Sequence, residues 1–343
     1  MNSQPGRRVV VTGATGNVGT SVVEALAADP DVDAVVGLAR RRPRWSPPRT
    51  TWVTADVEKD SDRTMTGHFE GASAVVHLAW AFQPTHDPLA TWRTNVLGTL
   101  RVLRAVAEAG VPALVYASSV GAYSPGPKDR GVDESWPTHG WPEAAYCREK
   151  AYIERVLDGF EPRHPGVRVV RMRTAFMFKE TSASEQRRIF AGRFVPGPLA
   201  NPALIPLVPD MEGLRFQALH TDDAAEAYRL AVLGDARGAF NLAADPPLGA
   251  RELSDLLDAR VVRLPRRAAR AAVATGWRLH AVPSSPYLFD AFLRLPLMDC
   301  SRARTELGWE PRRSGQEALR ELLRGMREGA GMETAPMHGA KAS

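Results

Sequence analysis

The first half of the chain alternates short, continuous apolar runs with stretches of helical period. Arg7–Gly13 (RRVVVTG) is a β-branched run, and Gly16–Ala28 then reads as a helix. Asp33–Ala39 (DAVVGLA), Thr50–Asp56 (TTWVTAD) and Ser73–Ala79 (SAVVHLA) follow as further runs. A long helix is expected over Leu89–Ala109, ended by Gly110 and Pro112. Ala113–Ser119 (ALVYASS) and Val167–Arg173 (VRVVRMR) flank another helix, which opens at Ala145 and runs to Leu157. These runs are apolar throughout rather than alternating, as in strands buried on both faces. The pattern therefore predicts an α/β fold, a doubly wound parallel sheet with helices on both sides.

The second half is less regular. Pro196–Pro209 and Pro283–Pro286 break it into short elements, and Gly238–Ala244 reads as one more strand. Helices are expected at Ala250–Ala259 and Ser314–Glu328. The expected division is a sheet domain over residues 1–178, to which 215–245 return. A smaller substrate-binding α/β part takes 179–214 and 246–328, and a disordered tail starts at Gly329.

Composition narrows the class. The 343 residues, 44% hydrophobic and 24% charged, can bury a sizeable core. No stretch reads as a signal peptide, and the densest apolar run, Ala74–Phe82, is too short to span a bilayer. The two cysteines, Cys147 and Cys300, form neither a disulfide framework nor a metal cluster, so a reducing cytoplasm is expected. Net charge is +5, with arginine runs at Arg40–Arg42 and Arg266–Arg267. Basic and aromatic residues do not interleave, so no nucleic-acid partner is expected; an anionic cofactor or a crowded surface accounts for the charge more simply.

The first apolar run leads into Gly13-x-x-Gly16-x-x-Gly19 and then a helix. Glycines let such a turn approach a pyrophosphate, and the helix offers amides and its dipole to the anion. The spacing differs from G-x-G-x-x-G, but its place between strand and helix fits. Gly13, Thr15, Gly16, Asn17 and Val18 are the candidate phosphate-binding residues. The second strand ends at Ala39 followed by Arg40, where an acid would hold a ribose hydroxyl. A guanidinium suits a 2′-phosphate, so NADP is favoured over NAD. Asp56, ending the next strand, is placed to meet the adenine.

These residues resemble the extended short-chain dehydrogenase/reductases, which include nucleotide-sugar epimerases, dehydratases and hydroxysteroid-dehydrogenase-like reductases. The likeness runs through TGATGNVG (Thr12–Gly19), ADV (Ala55–Val57), HLAW (His77–Trp80) and TNVLGT (Thr94–Thr99). It continues in YASSVGAY (Tyr116–Tyr123), YCREK (Tyr146–Lys150), HTDDAAEA (His220–Ala227) and RARTELGWEP (Arg302–Pro311). The resemblance adds Val57, Leu78, Ala79 and Trp80 to the cofactor contacts. RTAFMFKE (Arg173–Glu180) departs from the family, which has an Arg-Pro pair and a later Gly there.

Tyr146 and Lys150, one turn apart on a helix, share a face. A phenol with its ordinary value near 10 is a poor acid or base at neutral pH; an adjacent ammonium, with the cofactor's positive charge, is expected to lower it. Tyr146 then exchanges a proton with a carbonyl or alcohol oxygen while hydride moves to or from the nicotinamide, so Tyr146 and Lys150 also count as cofactor contacts. Ser119, past the end of a strand, is expected to hold the substrate oxygen, and Asn95 to order a water or backbone near Lys150. Ser118 should face the other way, His77 be structural, Cys147 a bystander, and Asp222-Asp223 a helix start rather than a metal site. No metal is expected. Trp80, Phe82, Trp92, Trp141 and Phe176 are candidates for an apolar pocket, with core packing as the alternative.

The expected function is an NADP(H)-dependent ketone or aldehyde reductase, or alcohol dehydrogenase, for a small apolar carbonyl or alcohol. A nucleotide-sugar epimerase or reductase is the alternative, and a non-catalytic NADP sensor the second. Dehydratases of the family carry Asp-Glu after the serine position, where this chain has Val120-Gly121. Thr181–Pro209 and Arg263–Leu297 are expected to form the substrate pocket. No membrane partner is expected, and a homodimer is left open.

Overall fold

The computed structural model describes residues 6–83, 85–190 and 206–339. Six strands come in chain order: β1 (Arg7–Thr12), β2 (Val32–Ala39), β3 (Thr50–Thr54), β4 (Ala74–His77), β5 (Ala113–Ala117) and β6 (Arg168–Thr174). β7 (Phe176–Phe178) and β8 (Ala218–His220) pair with each other, parallel, outside the main sheet. β9 (Gly238–Leu242) returns to the main sheet, which is parallel throughout and ordered β9-β6-β5-β4-β1-β2-β3.

The continuous apolar runs have the expected cause. Along β1, Val9 and Val11 enter the core on one face with Val35, Val76 and Val115. Val10, between them, enters the core on the other face with Val36, Val75 and Leu114. The first face is covered by α1 (Asn17–Ala28) and α7 (Thr221–Leu233), through Val22, Leu26, Ala224 and Tyr228. The second is covered by α2 (Asp62–Phe69), α4 (Gly98–Glu108) and α5 (Ala145–Arg163), through Met65, Val102, Ile153 and Leu157.

Two expectations change. The single helix over Leu89–Ala109 is α3 (Pro88–Trp92), a π-turn at Arg93–Leu97, and α4. The Asp87 carboxylate starts α3 by accepting the Leu89 and Ala90 N–H groups, each at 3.1 Å. The π-turn carries Asn95, whose side chain is bonded to backbone outside the helix. The supposed disordered tail is also packed as far as residue 339. Met337 N–H donates to Thr334 O at 3.0 Å, and both Thr334 and Met337 are fully buried.

The remaining helices lie outside the layers just described. They are α6 (Ala183–Phe190), α8 (Ala250–Leu257), α9 (Arg266–Arg278), α10 (Pro286–Phe292), α11 (Ser301–Glu306) and α12 (Gly315–Glu328). α6 and α10 line a cavity, and α11 packs on β9. α12 closes against α6 and β8 through Leu319, Leu322, Ala183 and Ala218. Residues 191–205, within the expected pocket segment Thr181–Pro209, lie outside the described residues. Among the described residues, no helix is long and apolar enough to cross a membrane.

Candidate active site

Strand order reverses between β1 and β4, which opens a crevice beyond their carboxyl ends. A cavity of about 710 Å³ fills it. At one end is the glycine turn. Gly13 has φ +66°, and a Cβ there would stand 2.6 Å from the Ala79 N. A Cβ on Gly19 would overlap the Gly13 carbonyl oxygen. A Cβ on Gly16 would meet only ordinary contacts, the Gly13 O at 3.6 Å and Glu185 Oε1 at 3.9 Å. The turn is therefore tight on the protein side at Gly13 and Gly19 and lines the cavity with Gly16 and the Asn17 amide, which suits an anionic group such as a pyrophosphate.

The expected cofactor residues converge. Gly13, Thr15, Gly16, Asn17, Val18, Arg40, Asp56, Val57, Leu78, Ala79, Trp80 and Tyr146 all line the cavity. Arg40 is exposed at the end of β2. Asp56 already accepts the Glu58 N–H at 3.0 Å, so part of its carboxylate serves its own turn. Lys150 does not line the cavity. It lies behind, 3.4 Å over the Trp80 ring, with Nζ donating to Ala117 O at 2.6 Å.

Ser119 and Tyr146 both line the cavity, on either side of Gly121. Gly121 N–H donates to Ser119 Oγ at 3.0 Å. Gly121 also gives the phenol ring its room: a Cβ there would be 2.8 Å from Tyr146 Cε1. Phe82 and Trp80 flank the same ring, with centroids at 5.1 and 6.1 Å.

The electrostatics correct the expectation for Tyr146. Burial pushes its phenol up to about 12, and the neighbouring Ser119 hydroxyl only partly offsets that. Lys150 is itself pushed well below its ordinary value by burial, against the pull of Glu149 and Glu154. Its ammonium is spent on the Ala117 carbonyl and the Trp80 face rather than on the phenol.

Asn95 takes the backbone alternative of its expected role. Fully buried, it holds the backbone of the loop after β4, one residue from the Trp80 ring on which Lys150 stacks. Its Oδ1 accepts the Ala81 N–H at 2.6 Å, and its Nδ2 donates to Ala81 O at 2.8 Å and to Glu149 Oε2 at 2.6 Å. Trp80 is thereby fixed one residue upstream. Of the aromatic candidates, Trp80, Phe82 and Phe176 line the cavity. Trp92 and Trp141 do not: Trp92 packs on Tyr152, and Trp141 lies under Arg294.

The bystanders fall as expected. Ser118 turns away and donates to Glu154 Oε1 at 2.6 Å. His77 is wedged between Thr12 and Thr99 and pushed down to about 3, first by burial, then by Lys150. Cys147 is buried, which raises its thiol to about 12. Asp222 and Asp223 open α7, and Asp223 Oδ2 accepts the Arg312 and Arg313 N–H groups at 3.1 and 2.9 Å. Among the described residues, no cluster of metal-ligating side chains occurs.

Four site residues were missed. Glu149 anchors Asn95. Glu154, fully buried, takes Arg171 and Arg173, each at 3.0 Å. Its signal was legible: Tyr146, Lys150 and Glu154 repeat every four residues along one helix face. Gly121 was read only as the lack of an acid. Glu185, whose Oε2 accepts the Asn17 N–H at 3.0 Å, had no signal in the pattern.

Known proteins share the family and the fold. The family model described as "NAD dependent epimerase/dehydratase family" matches residues 9–243. An uncharacterised protein of Mycobacterium tuberculosis is 25% identical over 327 residues, covering 95% of this chain and 31% of that one. The chain thus spans about a third of the length of the curated relatives it first matches. A putative UDP-glucose 4-epimerase of Methanocaldococcus jannaschii is 23% identical, covering 93% of this chain and 98% of that one. Among solved structures, a dTDP-glucose 4,6-dehydratase from Streptomyces venezuelae with NAD bound has TM-score 0.71 at 22% identity, covering 94% of this chain and 97% of that one.

Proposed function

The chain belongs to the NAD dependent epimerase/dehydratase family, and on that premise we propose that it works on a sugar nucleotide by reversible hydride transfer at a carbinol carbon. The observation that carries the chemistry is that Ser119 and Tyr146 line the same cavity as the glycine turn and pack on Gly121 together, its N–H donating to Ser119 Oγ at 3.0 Å and its lack of a Cβ making room for the phenol ring. A nicotinamide dinucleotide bound along the crevice supplies or accepts the hydride. Tyr146 takes the proton from the substrate hydroxyl or returns it to the carbonyl. Ser119 holds the same oxygen, and Lys150 steadies Tyr146 from behind through Trp80 and Ala117. Tyr146 and Lys150 are both present, which argues against a non-catalytic sensor.

The name of the Methanocaldococcus relative and the family description support the sugar-nucleotide reading over reduction of a ketone or aldehyde. Epimerisation is preferred to water elimination because Val120-Gly121 stand where an acid and base would be needed. One observation favours the second reading, an apolar carbonyl. Phe176, Phe216 and Phe292 form a triangle of rings with centroids 5.4–5.6 Å apart on the cavity wall. Among the described lining residues the sole guanidinium is Arg40, at the far end, whereas a diphosphate is best gripped by several.

For the cofactor, Arg40 in place of a carboxylate supports NADP, while the dehydratase neighbour binds NAD. Absorbance of the reduced nicotinamide separates the substrate readings. Interconversion of UDP- or dTDP-hexoses with no net absorbance change supports the first. Consumption of NADPH with apolar ketones, with the sugar nucleotides unchanged, replaces it with the second.

A further inference from the structure

The amide end of α1 is already engaged by a carboxylate of the chain itself. Asn17 N–H donates to Glu185 Oε2 at 3.0 Å, and Glu185 Oε1 lies 3.9 Å from where a Cβ on Gly16 would stand. The carboxylate fills the cradle between the second glycine and the first helical amide. A dinucleotide pyrophosphate would take this same N–H and the same positive end of the helix dipole. One N–H cannot serve both anions, and their charges repel.

Glu185 is not an isolated side chain. It sits on α6, and its neighbours on that helix, Gln186 and Ile189, line the same cavity. Gln83, on the loop after β4, donates to Ile189 O at 3.0 Å. A shift of α6 therefore reaches the wall beyond the glycine turn.

We infer that Glu185 is a gate on the cofactor site: its carboxylate occupies the pyrophosphate position, and dinucleotide binding displaces it together with α6. This rests on the cofactor reading above. It adds a coupling, since the residue that yields to the cofactor is carried by a helix that also walls the cavity.

The surroundings give the gate a pH dependence. Burial raises the Glu185 carboxyl above its ordinary value, opposed by the Asn17 N–H, by Arg188 on its own helix and by Lys179 just before it. Lys179 is shared with α1, donating to Thr20 and Ser21 at 2.7 and 2.9 Å, and it also faces Glu24 and Asp222. From α12, which packs on α6, Arg324 is paired with Glu180. Lowering the pH neutralises Glu185 sooner than an ordinary carboxylate and weakens its hold, so dinucleotide binding tightens on acidification.

The test is calorimetric titration of the whole chain with NADPH and with NADH between pH 6 and 8, for wild type, Glu185→Gln and Glu185→Ala. Both variants should bind about tenfold tighter, the size of one charge-assisted contact, with a flatter pH profile. Hydrogen exchange over residues 183–189 of the wild type should rise when NADPH is added; this readout stands even if a variant fails to fold. Unchanged or weaker binding by folded variants, with a wild type that still binds and shows no exchange change, overturns the gate and leaves the cofactor reading intact. Failure of the wild type to bind either dinucleotide at any pH overturns both.

Discussion

At the scale of single residues, the site depends on a few polar atoms whose partners are countable. Tyr146→Phe keeps the ring between Phe82, Trp80 and Gly121 and removes the proton carrier. Turnover should fall about 10²–10⁴-fold with dinucleotide affinity nearly unchanged, measured by steady-state kinetics beside a binding titration. A variant that keeps most of its kcat would remove Tyr146 from the chemistry. Arg40→Ala should weaken NADPH binding by about 1.5–3 kcal/mol and leave NADH almost untouched. Equal wild-type affinity for the two cofactors would reject the NADP preference. The sequence pointed to these candidates because Tyr146 and Lys150 stand one helical turn apart and Ser119 lies just past the end of a strand. It could not disclose that burial raises the Tyr146 phenol, because that depends on which groups close around it. Nor did it disclose Glu185, which meets Asn17 only through the placement of α6.

At the scale of elements, two short segments hold the crevice in shape. One is the glycine turn, where Gly19→Ala would push a Cβ into the Gly13 carbonyl. The expected cost is about 1–3 kcal/mol of stability, with loss of dinucleotide binding, read by denaturant titration and calorimetry. Binding at wild-type strength would show that the turn can relax. The other is the π-turn at Arg93–Leu97. The apolar period there continues through Leu89–Ala109, so the sequence showed one helix; the side-chain bonds of Asn95 decide otherwise. Asn95→Ala should free the Ala81 backbone, raise hydrogen exchange at residues 80–82 and lower turnover through Trp80. Unchanged exchange there would mean that the loop is held by other contacts. The strands of the main sheet were the most legible elements, since burial on both faces writes itself into an unbroken apolar run.

At the scale of the whole molecule, a buried ionic clamp joins the sheet to the helix that carries Tyr146. Glu154 on α5 takes Arg173 and Arg171 from β6. Burial alone would raise its carboxyl, but Arg173 first and then Arg171 outweigh that and hold it at about 2. A folded value below the unfolded one stabilises above the ordinary carboxylate range, and the contribution is lost as pH falls from about 4.5 toward about 2. Glu154→Gln should cost about 3–5 kcal/mol near neutrality, because it leaves two buried guanidinium groups short of a partner. It should also flatten the acid limb of the stability curve, both read by denaturant titration across pH. A change under 1 kcal/mol would mean that Asp158, Glu161 and Tyr123 suffice for the arginines.

The position of β9 bears on how the chain is made. It pairs with β6 across the outer edge of the sheet, yet it is translated only after β7, α6, β8 and α7. From the moment Thr174 leaves the ribosome until Leu242 follows, β6 is an open edge with a row of unpaired backbone donors and acceptors. Slow translation of the intervening stretch lengthens the interval in which a second nascent chain could pair there, so codon choice between those positions bears on yield more than codon choice elsewhere.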